Sequence, residues 1–251
     1  MPALWPDLSH RHFAPEQMDA PDCDPARLDQ TYNELASINH WLSRARTLLS
    51  RHVLAHAART PDRPVRFADV GCGGGDLLPF MHQRARDLGL RMEIVGVDAN
   101  PRAVSFARAR LGLLGLDRCG VSILQGSAFA LDDVGPPFDY VFCNHLLHHF
   151  PDGEVPQVLG ALHRASQRRL LVSDLLRSPA AYAGYTALAA FFFHSSYTFD
   201  DGRLSIRKGF HPSELVQAAS SAGISRAEVG TLAPGRVYLV ADAAANAAPL
   251  P

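Results

Sequence analysis

From Val65 almost to its end, the chain alternates short apolar runs with longer segments whose apolar residues recur every three or four positions. The runs at 65–70, 92–97, 121–124, 139–143 and 169–173 have the length and β-branched content of buried strands. The segments at 75–88, 101–114 and 154–166 have helical spacing. Asn100 is placed to cap the second of these, and Pro101 takes its first position. Strands alternating with helices predict a mostly parallel, doubly wound sheet covered on both faces, with ligands at the carboxyl ends of the strands.

Before this core, residues 1–25 are rich in Pro, Asp and His and read as irregular. Asp24 and Pro25 then open a helical block in which Leu28, Tyr32, Leu35, Ile38, Trp41, Leu42 and Ala45 share one spacing. Such a block packs over a ligand cleft, meets a partner subunit or caps the core. Residues 60–64 (Thr-Pro-Asp-Arg-Pro) are a break. After the fifth strand, 179–193 has no charge and is rich in Ala, Tyr and Phe. It is shorter than the about 20 residues a bilayer requires, which leaves a buried helix or the wall of an apolar pocket. The polar, basic stretch 198–210 reads as a loop over the site. A helix at 212–222, ended by Gly223, and two strands at 225–229 and 236–241 complete the pattern; 243–251 reads as a disordered tail. The expected divisions are 1–60 (cap), 61–175 (core), 176–210 (lid insertion), 211–242 (completion of the sheet) and the tail.

The most specific chemistry lies at 69–76, D-V-G-C-G-G-G-D, between the first strand and its helix. Glycines there suit a sharp turn that a ligand approaches closely. In a dinucleotide fingerprint G-x-G-x-x-G the third glycine would fall at 76, where this chain has Asp76. A carboxylate at that helix start repels a pyrophosphate. The phosphate-binding G-x-x-x-x-G-K-[ST] pattern is absent as well. Asp98 ends the second strand, where an acid accepts hydrogen bonds from ribose hydroxyls. A nucleoside without phosphates that carries a cation fits both acids, and S-adenosylmethionine is such a molecule.

Asp69, Gly71, Gly73, Gly75, Asp98, the Gly-Ser-Ala-Phe stretch at 126–129 and the F-D-Y-V-F-C-N-H-L-L-H-H-F stretch at 138–150 together resemble the class I S-adenosylmethionine-dependent methyltransferases. The resemblance implies a Rossmann-like seven-stranded sheet, closed by an antiparallel pair; the chain's own spacing adds N-terminal helices and a helical lid after the fifth strand. It implies that the glycine loop holds the methionine part, that Asp69 orients the loop or the amino group, and that Asp98, beside Ala99, grips the ribose. Ser127 and Ala128 match the adenine loop, where the family often has Asp, and Asn144 ends the fourth strand. His148 matches the base of phenolic O-methyltransferases, with His145 a second candidate. On spacing alone His145, His148 and His149 could hold a metal, but the expected site is metal-free. Tyr197, His194 and Arg207 are candidate acceptor contacts, Arg207 through a carboxylate.

Composition narrows the partners. Net charge is −1, which offers no electrostatic case for nucleic acid. The four cysteines form no C-x-x-C pair. No signal-peptide pattern opens the chain, so a cytoplasmic monomer or homodimer is expected. The reading is O-methylation of a small apolar or aromatic acceptor (phenol, quinone or polyketide). C-methylation, a nicotinamide-dependent oxidoreductase and a catalytically silent cofactor-binding partner protein are the alternatives.

Overall fold

The computed structural model describes residues 6–59, 63–193 and 196–243. Seven strands form one sheet: β1 (Val65–Val70), β2 (Met92–Asp98), β3 (Val121–Gln125), β4 (Phe138–Asn144), β5 (Ser166–Leu175), β6 (Ala227–Leu232) and β7 (Arg236–Asp242). Their order is β3-β2-β1-β4-β5-β7-β6. The first five are parallel, and β7 runs antiparallel to both β5 and β6. The order reverses direction between β1 and β4, so their carboxyl ends open a crevice there.

Helices cover both faces. Helix α1 (Pro25–Trp41) starts as its sequence predicts, with Asp24 Oδ1 accepting from Arg27 N–H at 2.8 Å. Helix α2 begins at Ala45–Leu48 and continues through a π-type stretch, Leu49–Leu54, to Ala57. With α3 (Leu77–Asp87) and α4 (Pro101–Leu113) it buries Leu49, Val53, Leu78, Met81 and Ala107 against one face of the sheet. Helices α5 (Val155–Ala165) and α8 (Pro212–Ser221) bury Val158, Leu159, Leu162 and Leu215 against the other. Each such side chain contributes about 1.5–3 kcal/mol. Gly96 in β2 is needed for this packing, since a Cβ there would lie 2.7 Å from Ile123 Cδ1 and 2.9 Å from Cys72 Sγ.

Two further helices follow β5. Helix α6 (Pro179–Phe192) is the uncharged segment. It buries only Tyr182 and Ala189, so it is a cavity wall rather than a core helix. Where a loop was expected at 198–210, helix α7 (Thr198–Lys208) forms instead. Its buried residues include Thr198, Asp201, Ser205 and Lys208, three or four apart, which is helical spacing written in polar residues. A search for apolar periodicity misses it. The acidic first turn and basic last turn suit the helix dipole.

The irregular N-terminal segment is fastened across the carboxyl edge of the sheet. Arg11 donates to the carbonyls of Lys208 (2.7 Å) and Phe150 (3.0 Å), pairs with Asp152 (2.5 Å) and stacks on Phe210. Arg177, wholly buried, holds Glu214 with both terminal nitrogens and donates from Nε to the Leu8 carbonyl at 2.9 Å. Among the described residues no helix is long and apolar enough to cross a membrane. The break at 60–62 and the tail at 244–251 lie outside the described residues.

Candidate active site

The turn after β1 is built by glycines in the left-handed region, at φ 71° for Gly71, 51° for Gly73 and 68° for Gly75. A side chain at any of the three would be strained. At Gly73 an added Cβ would meet nothing within 4 Å, so the turn leaves open space beside its backbone. Three carboxyl groups surround it. Asp98 is fixed by the turn itself: Oδ2 accepts from Gly73 N–H at 2.8 Å and Oδ1 from Asn100 N–H at 2.9 Å. Burial pushes its pKa up, against these two donors. Asp69 is buried, and no hydrogen bond reaches its carboxylate among the described residues. Burial, then Asp76 and Asp98, push its pKa well up. Asp76 accepts from Asn39 Nδ2 at 3.2 Å through Oδ1, while its Oδ2 is buried with no partner. The turn thus gathers three carboxyl groups, with the guanidinium groups of Arg110 and Arg46 acting on Asp76.

The other predicted positions divide. Ala128 is buried behind the β3 loop. Ser127 is exposed, its hydroxyl accepting from Phe129 N–H at 3.2 Å, and Ala99 is exposed. Asn144 is buried and spoken for: Nδ2 donates to Asn39 Oδ1 at 2.9 Å, and Oδ1 accepts from Arg236 Nη2 at 2.7 Å. Asn39, on α1, therefore ties the cap to both Asp76 and β4.

Beside this crevice lies a cavity of about 330 Å³. Its apolar walls are Leu35, Ile38 and Leu42 of α1, Ala181, Gly184 and Leu188 of α6, and Leu175 and Ile206. Its polar lining comes from Glu16, His145, Thr198, Asp201, Ser205 and Arg236, among others. His145 adopts φ 56°, unusual for a non-glycine residue, and turns its Nε2 to Arg236 Nη1. Burial and the Arg236 charge hold it well below the usual histidine range, so it is neutral.

His148 stands differently from its expected role as a base. It is buried, does not line the cavity, and its Nδ1 donates to Asp174 Oδ1 at 2.7 Å. Its Nε2 faces Glu16 Oε1 at 3.6 Å. Burial alone would lower its pKa, but the two carboxylates raise it to about 9. At neutral pH both ring nitrogens carry protons and neither can accept one. Lys208 Nζ completes the chain, 2.9 Å from Glu16 Oε1. Glu16, His148 and His149 bring ligand atoms within 4.8 Å of one another, but the cations already on Glu16 make this an ion-pair cluster. His145 is not in it.

The acceptor contacts expected on the lid also move. Tyr197 lies away from the cavity. Its oxygen accepts from Asp24 N–H at 2.8 Å, its ring packs with Leu28 and Tyr32, and Arg27 sits over it. Arg207 does not line the cavity either; its carbonyl accepts from His12 N–H at 3.1 Å. His194 lies outside the described residues. Reading by motif missed Glu16, Asn39, Asp174 and Arg236. Only Asp174 left a signal, an acid ending an apolar strand.

Residues 67–168 match a family model described as a methyltransferase domain. The matched span runs from β1 into β5, and the sheet around it has the Rossmann-like methyltransferase fold. Among curated proteins, the chain is 30% identical over 159 residues to a ubiquinone biosynthesis O-methyltransferase of Stutzerimonas stutzeri, covering 62% of this chain and 63% of that protein. The chain spans 39% and 50% of two further relatives of the same description, from Azorhizobium caulinodans and Xanthomonas oryzae. Among solved structures, human N-acetylserotonin methyltransferase aligns with TM-score 0.61 at 18% identity, over 88% of this chain and 56% of that one. Magnesium protoporphyrin IX methyltransferase from Synechocystis aligns with TM-score 0.51 at 15% identity, over 87% and 84%. In this chain the lid helices α6 and α7 wall the chamber beside the crevice.

Proposed function

We propose that the protein transfers a methyl group from S-adenosylmethionine to an oxygen of a small, largely apolar or aromatic acceptor such as a phenol or quinone-type ring. The carrying observation is the pairing of an acid-rich, glycine-lined crevice with an adjoining apolar chamber. Asp69 has no hydrogen-bond partner and Asp76 Oδ2 is orphaned, so the crevice fits a ligand that brings its own positive charge and N–H donors. The glycine-turn backbone and Asp69 would hold the amino-acid part, Asp98 the sugar hydroxyls, and the Ser127–Ala128 backbone the base edge. When bound, this group supplies an electrophilic methyl on a sulfonium centre.

The chain's own residues do the rest. The walls from α1, α6 and α7 exclude water and orient the acceptor, and in-line approach within about 3–3.5 Å carries much of the rate. His148, with Asp174 and Glu16, fixes the floor of the chamber and the strap above it. His145 lines the chamber with a neutral imidazole whose Nε2 is engaged by Arg236. The relatives named as ubiquinone O-methyltransferases support an aromatic acceptor. Calorimetric titration with S-adenosylhomocysteine and with NAD, followed by labelled methyl transfer to a panel of phenols, tests the reading. NAD binding without S-adenosylhomocysteine binding would mark an oxidoreductase. Cofactor binding with no turnover on any acceptor would mark a silent binder.

A further inference from the structure

The chamber is lined by a buried cation that no carboxylate touches among the described residues. Arg236 opens β7 and is 2% exposed. It lines the cavity together with His145, Leu175 and Gly235. Its hydrogen bonds go only to neutral acceptors: Nη2 to Asn144 Oδ1 at 2.7 Å and to Ser173 Oγ at 3.0 Å, and Nη1 to His145 Nε2. Its Nε is buried with no partner, and no ion pair to it forms among the described residues. Burial lowers its pKa to about 10, against the charge of Asp174 nearby, which still leaves it cationic at neutral pH.

The acids nearby are engaged elsewhere. Asp174 is taken by the His148 ring and the Leu175 N–H (2.7 Å each). Glu16 is taken by Lys208 and Ser205, and Asp201 accepts the N–H groups of Gln17 and Met18 at 2.9 Å each. A buried guanidinium with no carboxylate in hydrogen-bond contact is costly, and the cost is relieved when a ligand supplies one. Across the chamber, Thr198 Oγ1 on α7 is also buried without a partner.

We propose that Arg236 is a specificity-determining residue: it seats an ionised oxygen, phenolate or carboxylate, of an acceptor whose body is apolar, while Thr198 takes a second polar group. This rests on the methyltransferase reading above and narrows its acceptor class. The seat lies on the β5–β7 side, so it serves the acceptor rather than the cofactor.

The test uses the whole protein saturated with S-adenosylhomocysteine and four probes: 4-nitrophenol, 4-nitroanisole, 4-nitrobenzoate and its methyl ester. At pH 8 at least one ionised probe binds tenfold or more tighter than its neutral isostere, and the preferred pair tells phenolate from carboxylate. Absorbance of 4-nitrophenol also reports whether binding lowers its apparent pKa. R236M abolishes the preference, leaves the neutral probes and S-adenosylhomocysteine binding as in wild type, and R236K restores part of it. Equal affinity of ionised and neutral probes for the wild-type protein overturns the proposal even if R236M does not fold. So does loss of S-adenosylhomocysteine binding in a folded R236M, which would make the arginine a cofactor contact. Failure of wild-type protein to bind S-adenosylhomocysteine strikes the methyltransferase reading instead.

Discussion

Around the glycine turn, Asp76 Oδ2 is buried without a donor, and no hydrogen bond reaches the Asp69 carboxyl among the described residues. Under the cap, Glu16, Asp174 and Asp201 are equally buried, yet each is matched by cations or N–H groups. The same residue types at similar burial thus serve opposite ends. Matched acids fasten the strap and α7 to the sheet. Unmatched ones sit at a free-energy cost that folding alone does not explain, and so mark where a ligand's charge belongs.

Neutralising one acid in each region gives the largest expected contrast. Asp174→Asn leaves the His148 imidazolium short of a counter-charge in a dry site, and breaking a buried pair costs about 3–5 kcal/mol. Asp69→Asn removes a buried carboxyl whose ionised form burial disfavours and no hydrogen bond supports, so stability in urea unfolding holds or rises while S-adenosylhomocysteine affinity falls. Equal destabilisation by both would erase the distinction.

Titration sharpens it. His148 is raised to about 9 from an ordinary 6.5, so its contribution is fully present below about 6.5 and is lost as pH rises towards 9. Asp174 and Glu16, held well below the carboxylate range against the pull of burial, contribute above about pH 4 and lose that contribution on acidification. The stability gap between wild type and His148→Asn should therefore shrink between pH 6.5 and 9, by up to about 1.4 kcal/mol per pH unit. A gap flat across that range would mean His148 is neutral.

On the cofactor side, Asp98→Ala removes an acceptor that positions the turn and, in the proposed complex, the sugar. The expected loss is about 1–3 kcal/mol in S-adenosylhomocysteine affinity by calorimetry. An unchanged affinity would leave the acid as a turn fastening only, like those under the cap.

Legibility in the sequence follows the same divide. The sheet, the glycine turn and Asp98 are local: strand, turn and helix lie within a few residues of each other, and φ > 0 is written as glycine. The antiparallel β6–β7 pair was legible from its turn residues and flanking apolar runs. The chamber is assembled from segments far apart in the chain. Glu16 meets Lys208 across nearly the whole sequence, and Asn39 reaches Asn144 over a distance no periodicity encodes. Helix α7 was hidden because its buried stripe is polar. Tyr197 and Arg207 look like acceptor contacts in a list of lid residues, but neither lines the cavity.

Gly184 offers the smallest and most selective change. It lies in the interior of α6, lines the chamber, and an added Cβ would meet nothing within 4 Å. Gly184→Leu should therefore enter free space without strain, and better helix propensity adds about 0.5–1 kcal/mol of stability. The new side chain occupies volume that the acceptor needs, while the glycine turn lies outside the affected walls. Stability rises slightly, S-adenosylhomocysteine binding stays as in wild type, and binding of 4-nitroanisole falls. If cofactor binding fell together with the probe, crevice and chamber would be one continuous pocket. The division between unmatched acids at the turn and the apolar room beside them would then no longer separate two ligands.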